Sequence, residues 1–100
     1  MLSLQQRAEK IKLLICDVDG VLTDGKIYIG NEGELFKAFN VKDGLGIKML
    51  MANGIDVAIL TARSSKILAT RMKELGVTNV RQGQRDKVKG LEELLGEVHL

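Results

Sequence analysis

The stretch Lys12-Leu13-Leu14-Ile15-Cys16-Asp17-Val18-Asp19-Gly20-Val21-Leu22-Thr23-Asp24 decides the fold. An apolar run ends abruptly in two carboxylates, a glycine and a threonine. Strands of parallel α/β sheets are covered on both faces and read as unbroken apolar runs, so Leu13 to Cys16 suits the middle of such a sheet. Carboxylates at the end of a buried strand do not stabilise it. They mark the crevice outside the carboxyl ends of the strands, where open α/β sheets bind ligands. Asp17 and Asp19 are therefore the first candidates for a reactive centre.

The chain on either side fits an α/β domain. Ser3 to Lys10 reads as a short helix, with Ser3 as N-cap and Leu4 and Ala8 placed to dock on the sheet. After the aspartate loop, Lys26 to Ile29 and Glu34 to Asn40 read as a hairpin around the turn Gly30-Asn31-Glu32-Gly33. The returning strand is apolar on both sides, with Leu35 and Phe39 on one and Phe36 and Ala38 on the other. An isolated hairpin is barely stable in water, so one with two greasy sides needs cover from a second subunit as well as from its own domain. Val41 to Gly46 leads into a helix with Leu45, Ile47, Leu50 and Met51 on its apolar face. Ile55 to Leu60 is the second buried strand, and a helix capped by the serines carries Ile67, Leu68, Met72 and Leu75 and closes at Gly76. Val77 to Val80 is a short third strand, and Asp86 caps a last helix with Val88, Leu91, Leu94 and Leu95. Strands alternating with helices predict a single domain over 1–100: a three-layer, Rossmann-like parallel sheet with right-handed crossovers and a hairpin inserted after the first strand.

Composition narrows the class. The chain has 100 residues, 45% of them hydrophobic, and a net charge of +2 in which fifteen basic residues are interleaved with thirteen acidic ones. There is no basic run with aromatic interleaving, so no nucleic-acid partner is expected. No apolar stretch approaches ~20 residues, and the N-terminus Met1 to Arg7 lacks the apolar core of a leader, so the reading is a cytoplasmic protein with no membrane partner. Cys16 is the one cysteine and reads as an inert core residue. His99 reads as a surface residue.

Three strand ends carry the candidate chemistry. The first supplies Asp17, Asp19 and Thr23, the second Thr61 and Arg63, and the third is followed by Lys87. In a parallel sheet these ends lie together. A carboxylate such as Asp17 can attack phosphorus. Asp19, two residues on, points the same way and can give and take the proton. Thr61 and Lys87 suit phosphoryl oxygens. Two carboxylates repel a phosphate dianion, and a Mg2+ between them removes the objection. Each residue alone also has a plain reading: an acidic turn, a strand-end hydroxyl, a solvated lysine, a loop arginine. A calcium loop fails, because Val21 and Tyr28 stand where oxygen ligands belong. Gly44-Leu45-Gly46 is no dinucleotide fingerprint, since Met49 replaces the third glycine.

Asp17-Val18-Asp19-Gly20-Val21-Leu22-Thr23-Asp24-Gly25 resembles the first motif of the haloacid dehalogenase-like phosphatases. Phe39-Asn40-Val41-Lys42-Asp43-Gly44-Leu45-Gly46, Leu60-Thr61-Ala62-Arg63-Ser64 and Gln82-Gly83 resemble a branch of that family acting on phosphorylated 2-keto-3-deoxy sugar acids. The resemblance implies a haloacid dehalogenase-like fold without a large cap domain. It implies Asp17 as nucleophile and Asp19 as general acid/base, with Thr61 binding phosphate and Lys87 steadying the phosphoryl group. It implies Mg2+ on the Asp17 carboxylate and the Asp19 backbone carbonyl, and Arg63, Lys42 and Asp43 near the substrate pocket. It implies a homotetramer in which the hairpin, residues 26–40, packs on neighbours and helps close an adjacent site. The implied substrate is a small sugar phosphate, the eight-carbon precursor of Gram-negative lipopolysaccharide, with a nine-carbon sialic-acid type as the alternative.

The family's fourth motif is an Asp-Asp segment after a further strand, and it adds a metal ligand. The chain contains no Asp-Asp pair. It reads as the front part of such a domain, with the strands that would flank Ile11 to Val18 on the other side missing. A catalytically incomplete structural fragment is thus one alternative. A receiver-like phosphoacceptor is another, although receivers carry their acceptor on a later strand.

Overall fold

The computed structural model describes residues 3–98. In chain order these form α1 (Leu4–Glu9), β1 (Leu13–Cys16), β2 (Tyr28–Gly30), β3 (Gly33–Phe36), α2 (Val41–Ala52), β4 (Asp56–Leu60), α3 (Lys66–Leu75), β5 (Asn79–Arg81) and α4 (Lys87–Val98). β1, β4 and β5 make a parallel sheet in that order, and β2 and β3 make a separate antiparallel pair. The expected α/β order with an inserted hairpin is what the chain adopts. Leu13 lies opposite Asp56 and Cys16 opposite Ile59, while Ala58 lies opposite Asn79 and Leu60 opposite Arg81. All three strands therefore end on one side of the sheet.

The central strand is β4, not β1. Val57 to Leu60 are buried, as a strand paired on both edges should be. β1 pairs only with β4 among the described residues, and Leu14 is 38% exposed. One edge and part of one face of β1 meet no other element among the described residues, which is the open edge that the sequence predicts for Ile11 to Val18.

Helix ends follow their caps. The Ser65 hydroxyl accepts the Leu68 N–H at 3.1 Å, and Gly76 closes α3 in the left-handed region at φ 82°. α3 lays Leu68, Met72 and Leu75 on the sheet. α2 begins at Val41, earlier than expected, because the Asn40 side chain accepts the Lys42 N–H at 2.9 Å and starts the helix ahead of its two glycines. Its buried positions are Gly44 and Ile47, whereas Leu45, expected on the apolar face, is exposed. Asp86 caps α4 by accepting the Lys89 N–H, and Leu94 seats that helix while Val88, Leu91 and Leu95 stay exposed.

Other expectations need correction. α1 has a full capping box between Ser3 and Gln6, but it docks nothing: Leu4 is 77% exposed, and Ala8 is exposed too. Its local hydrogen bonds suffice for a short helix, and no apolar face is wide enough to hold it down. β3 stops at Phe36, not Asn40, because its partner β2 offers only three residues and carries a bulge at Tyr28/Ile29. Phe39 turns back to bridge Thr23 and packs on the core. The third strand begins at Asn79, with Val77 buried before it. His99 lies outside the described residues.

Candidate active site

The aspartates are placed by the residue between them. Val18 is buried in the core with Leu22, so Asp17 and Asp19 are left half-exposed on the other side of the chain. The Val18 carbonyl accepts the N–H groups of Val21, Leu22 and Thr23 at 3.1, 2.9 and 3.2 Å, which folds the loop into one tight turn. Gly20 stands at φ 78°, where other residues are strained. The Thr23 hydroxyl accepts the N–H groups of Gly20 and Gly25 at 3.3 and 3.2 Å. Thr23 thus staples the loop.

Asp17 and Lys87 meet. The Lys87 ammonium donates to Asp17 Oδ2 at 2.8 Å across 70 positions of sequence, and the Val18 N–H donates to Oδ1 at 2.7 Å. The lysine's hydrogen bond holds the Asp17 carboxyl below its usual range; partial burial opposes this, and the Val18 N–H and the lysine's charge assist it. Asp17 is therefore an ionised carboxylate at neutral pH, the state a nucleophile needs.

Thr61 ends β4 and is only 2% exposed. Its loop is fastened to the loop after β5. The Thr61 N–H donates to the Arg81 carbonyl at 3.0 Å, and the N–H groups of Gln84 and Gly83 donate to the carbonyls of Thr61 and Arg63 at 2.9 and 3.2 Å. The Gln82 side-chain carbonyl accepts the Ser65 N–H at 2.6 Å. Arg63 is exposed. Lys42 and Asp43 lie on the first turn of α2 and line a cleft of about 790 Å³ together with Thr23, Asp24 and Asn40. The aspartate loop lines the same cleft through Val21 to Asp24, so Lys42 and Asp43 face that loop across it.

Asp19 meets a residue the sequence did not flag. Its Oδ1 lies 3.6 Å from the Lys37 ammonium, which also lies 2.8 Å from Glu34 Oε1. Burial alone would raise the Glu34 carboxyl. Lys37, the Ser65 hydroxyl and the charge of Arg63 outweigh burial and hold it below its usual range. Glu34 and Lys37 lie three apart in the returning half of the hairpin. Residues three apart on a strand face opposite ways, so no spacing signal joined them. Cys16 is half-buried, and burial, then the charge of Asp43, pushes its thiol up, so it is no nucleophile.

Among the described residues no three His, Cys, Asp or Glu side chains converge as a metal set. The oxygens on offer are the Asp17 carboxylate and the Asp19 main-chain carbonyl, which accepts no backbone hydrogen bond among the described residues. A hard cation that keeps several waters and shares substrate phosphate oxygens suits such a sparse oxygen pair.

A parallel sheet with a hairpin after its first strand and an aspartate pair at its carboxyl edge is a haloacid dehalogenase-like fold. A haloacid dehalogenase superfamily hydrolase (subfamily III A) of Legionella pneumophila matches 97% of the chain with a TM-score of 0.90 and 47% identity, the match covering 53% of that structure. Within that class the chain is similar to 3-deoxy-D-manno-octulosonate 8-phosphate phosphatases. It is 58% identical over 90 residues to the one from Yersinia pestis, which covers 90% of this chain and 48% of the relative. The Moraxella catarrhalis phosphatase, solved with magnesium ion, phosphate ion and KDO, matches 95% of this chain and 55% of that one with a TM-score of 0.88 and 46% identity. The chain thus spans about half the length of the curated relatives it matches. No protein-family model matches it.

Proposed function

We propose that the protein is a Mg2+-dependent phosphomonoesterase that hydrolyses 3-deoxy-D-manno-octulosonate 8-phosphate to the sugar acid and phosphate, a cytoplasmic step toward lipopolysaccharide. The carrying observation is the Asp17–Lys87 contact at the carboxyl edge of the sheet, which supplies an ionised carboxylate with a cation beside it. The similarity to phosphatases of that name supports the substrate.

An Asp17 oxygen attacks phosphorus and the bond from phosphorus to the sugar oxygen breaks. The departing oxygen takes a proton from Asp19. Water then attacks phosphorus and gives its proton to Asp19, the bond from phosphorus to Asp17 breaks, and phosphate leaves. Lys87 and the Thr61 hydroxyl hold the phosphoryl oxygens throughout. When bound, on the Asp17 carboxylate and the Asp19 carbonyl, Mg2+ offsets the charge of aspartates and phosphate and polarises the phosphoryl group. Arg63, Lys42 and Asp43 are assigned to the sugar acid, with Lys42 and Asp43 reaching it from the adjoining cleft. The hairpin, residues 26–40, exposes Ile29, Leu35 and Phe36, which supports its use as the contact between subunits of a tetramer.

The test is phosphate release by the full-length protein. Asp17→Asn should lower kcat by at least ~10³-fold, because nothing nearby replaces the nucleophile. Activity that survives this change sinks the reading. Equal or higher kcat/KM on a nine-carbon sugar acid phosphate would move the assignment to that substrate.

A further inference from the structure

Lys37 is a lysine in an unusual place. Its side chain is 8% exposed, on a hairpin that is otherwise largely in water. Lysine is almost never so enclosed unless it is paired. Here the two carboxylates are Glu34, at 2.8 Å, and Asp19, at 3.6 Å. Glu34 Oε1 is itself out of water, and its contact with Lys37 is ionic, without hydrogen-bond geometry. The chain leaves β3 after Phe36, and that departure swings Lys37 onto the same side as Glu34. The same departure carries Phe39 to its bridge with Thr23. The hairpin is therefore joined to the aspartate loop at three points: through the backbone at Thr23, through charge at Asp19, and through the Tyr28 hydroxyl, which donates to Asp24 Oδ2 at 2.6 Å.

Asp19 needs such a partner. Its carboxylate is 35% exposed, and Lys37 is the charge paired with it among the described residues. A carboxylate in water samples several rotamers; an enclosed cation fixed from behind selects one. We propose that Lys37, anchored by Glu34, is the positioning residue for Asp19 and holds its carboxyl group where it serves the leaving oxygen. The proposal rests on the phosphatase reading and adds to it a part of the hairpin that acts within its own chain.

The competing role is a staple that only holds the hairpin down. Two esters separate the two roles. A sugar phosphate expels an alkoxide and needs a proton at that moment, whereas p-nitrophenyl phosphate expels a stable phenolate and does not. The quantity to compare is kcat/KM, which covers the steps through departure of the leaving group. In the full-length protein, Lys37→Met should lower kcat/KM for 3-deoxy-D-manno-octulosonate 8-phosphate roughly 10- to 100-fold, and for p-nitrophenyl phosphate by less than about threefold. Asp19→Asn should show the same selectivity, Glu34→Gln a weaker form of it, and Lys37→Arg should restore most of the loss. Equal losses on both esters, or none on either, overturn the proposal. If Lys37→Met fails to fold by circular dichroism, Lys37→Arg and Glu34→Gln decide on the same ratio. A wild-type protein that releases phosphate from neither ester, or that keeps its activity as Asp17→Asn, overturns the phosphatase reading and this proposal with it.

Discussion

Two carboxylates near the site, Asp17 and Glu34, are held below their usual range, and in each a lysine is the chief cause acting against burial. For Glu34 that lysine is Lys37. A group whose folded pKa is depressed stabilises the fold fully above its unfolded value, about 4.3 for glutamate, and loses that contribution as pH falls through the folded value. Melting curves at about pH 6 and about pH 3 should therefore show a larger drop in Tm for wild type than for Glu34→Gln. Equal drops would mean that the Glu34–Lys37 pair is not made in solution. At this scale the sequence was legible where position alone carries meaning. Asp17, Asp19, Thr61 and Lys87 could be named because strand ends of a parallel sheet converge. Glu34 and Lys37 could not, because their pairing depends on the chain leaving a strand at Phe36, and no residue pattern marks that point.

Elements hold the site through two close approaches. One is the seam between the loops after β4 and β5, where Gln82 accepts the partly buried Ser65 N–H. Gln82→Leu removes that acceptor and strands the donor, which should cost about 1–3 kcal/mol in urea unfolding. The other is α4, which carries Lys87 and holds two glycines with opposite demands. A Cβ at Gly90 would meet the Gln84 side chain and come within 2.8 Å of Leu60 Cδ1, whereas a Cβ at Gly96 would meet nothing within 4 Å. Alanine gains about 1 kcal/mol over glycine in a helix interior, while overpacking costs about 1–3 kcal/mol. Gly96→Ala should therefore stabilise the protein by up to about 1 kcal/mol, and Gly90→Ala should destabilise it despite the same helical gain. Chemical denaturation of the two variants checks both signs. α3 and α4 were readable because Ser65, Gly76 and Asp86 mark their ends, whereas Asn40, read as strand, concealed the start of α2. The hairpin was not readable to its end, because pairing length is set by the partner strand and β2 supplies only Tyr28–Gly30.

The molecule as a whole is less compact than its length predicts. The Cα radius of gyration is 14.7 Å, against about 13 Å expected for 100 residues. The excess fits an undocked α1 and a hairpin paired only with itself. The greater consequence is at β1. The first strand has the composition of a central strand, yet among the described residues it pairs only with β4, the open edge that the sequence predicts. Its free edge presents unpaired N–H and C=O groups beside Leu14 and a cleft of about 290 Å³ lined by Cys16, Val21 and Leu50. An apolar strand with an open edge is a template for another chain. The 100-residue chain on its own should therefore self-associate, giving broad, concentration-dependent boundaries in sedimentation velocity. Leu14→Lys places a charge on that edge and should shift the distribution toward monomer while leaving the far-ultraviolet spectrum unchanged. If the hairpin drives association instead, Leu14→Lys will leave the boundaries as they were and Phe36→Lys will sharpen them. A chain that sediments as a monomer at all concentrations would show that neither β1 nor the hairpin presents a usable surface.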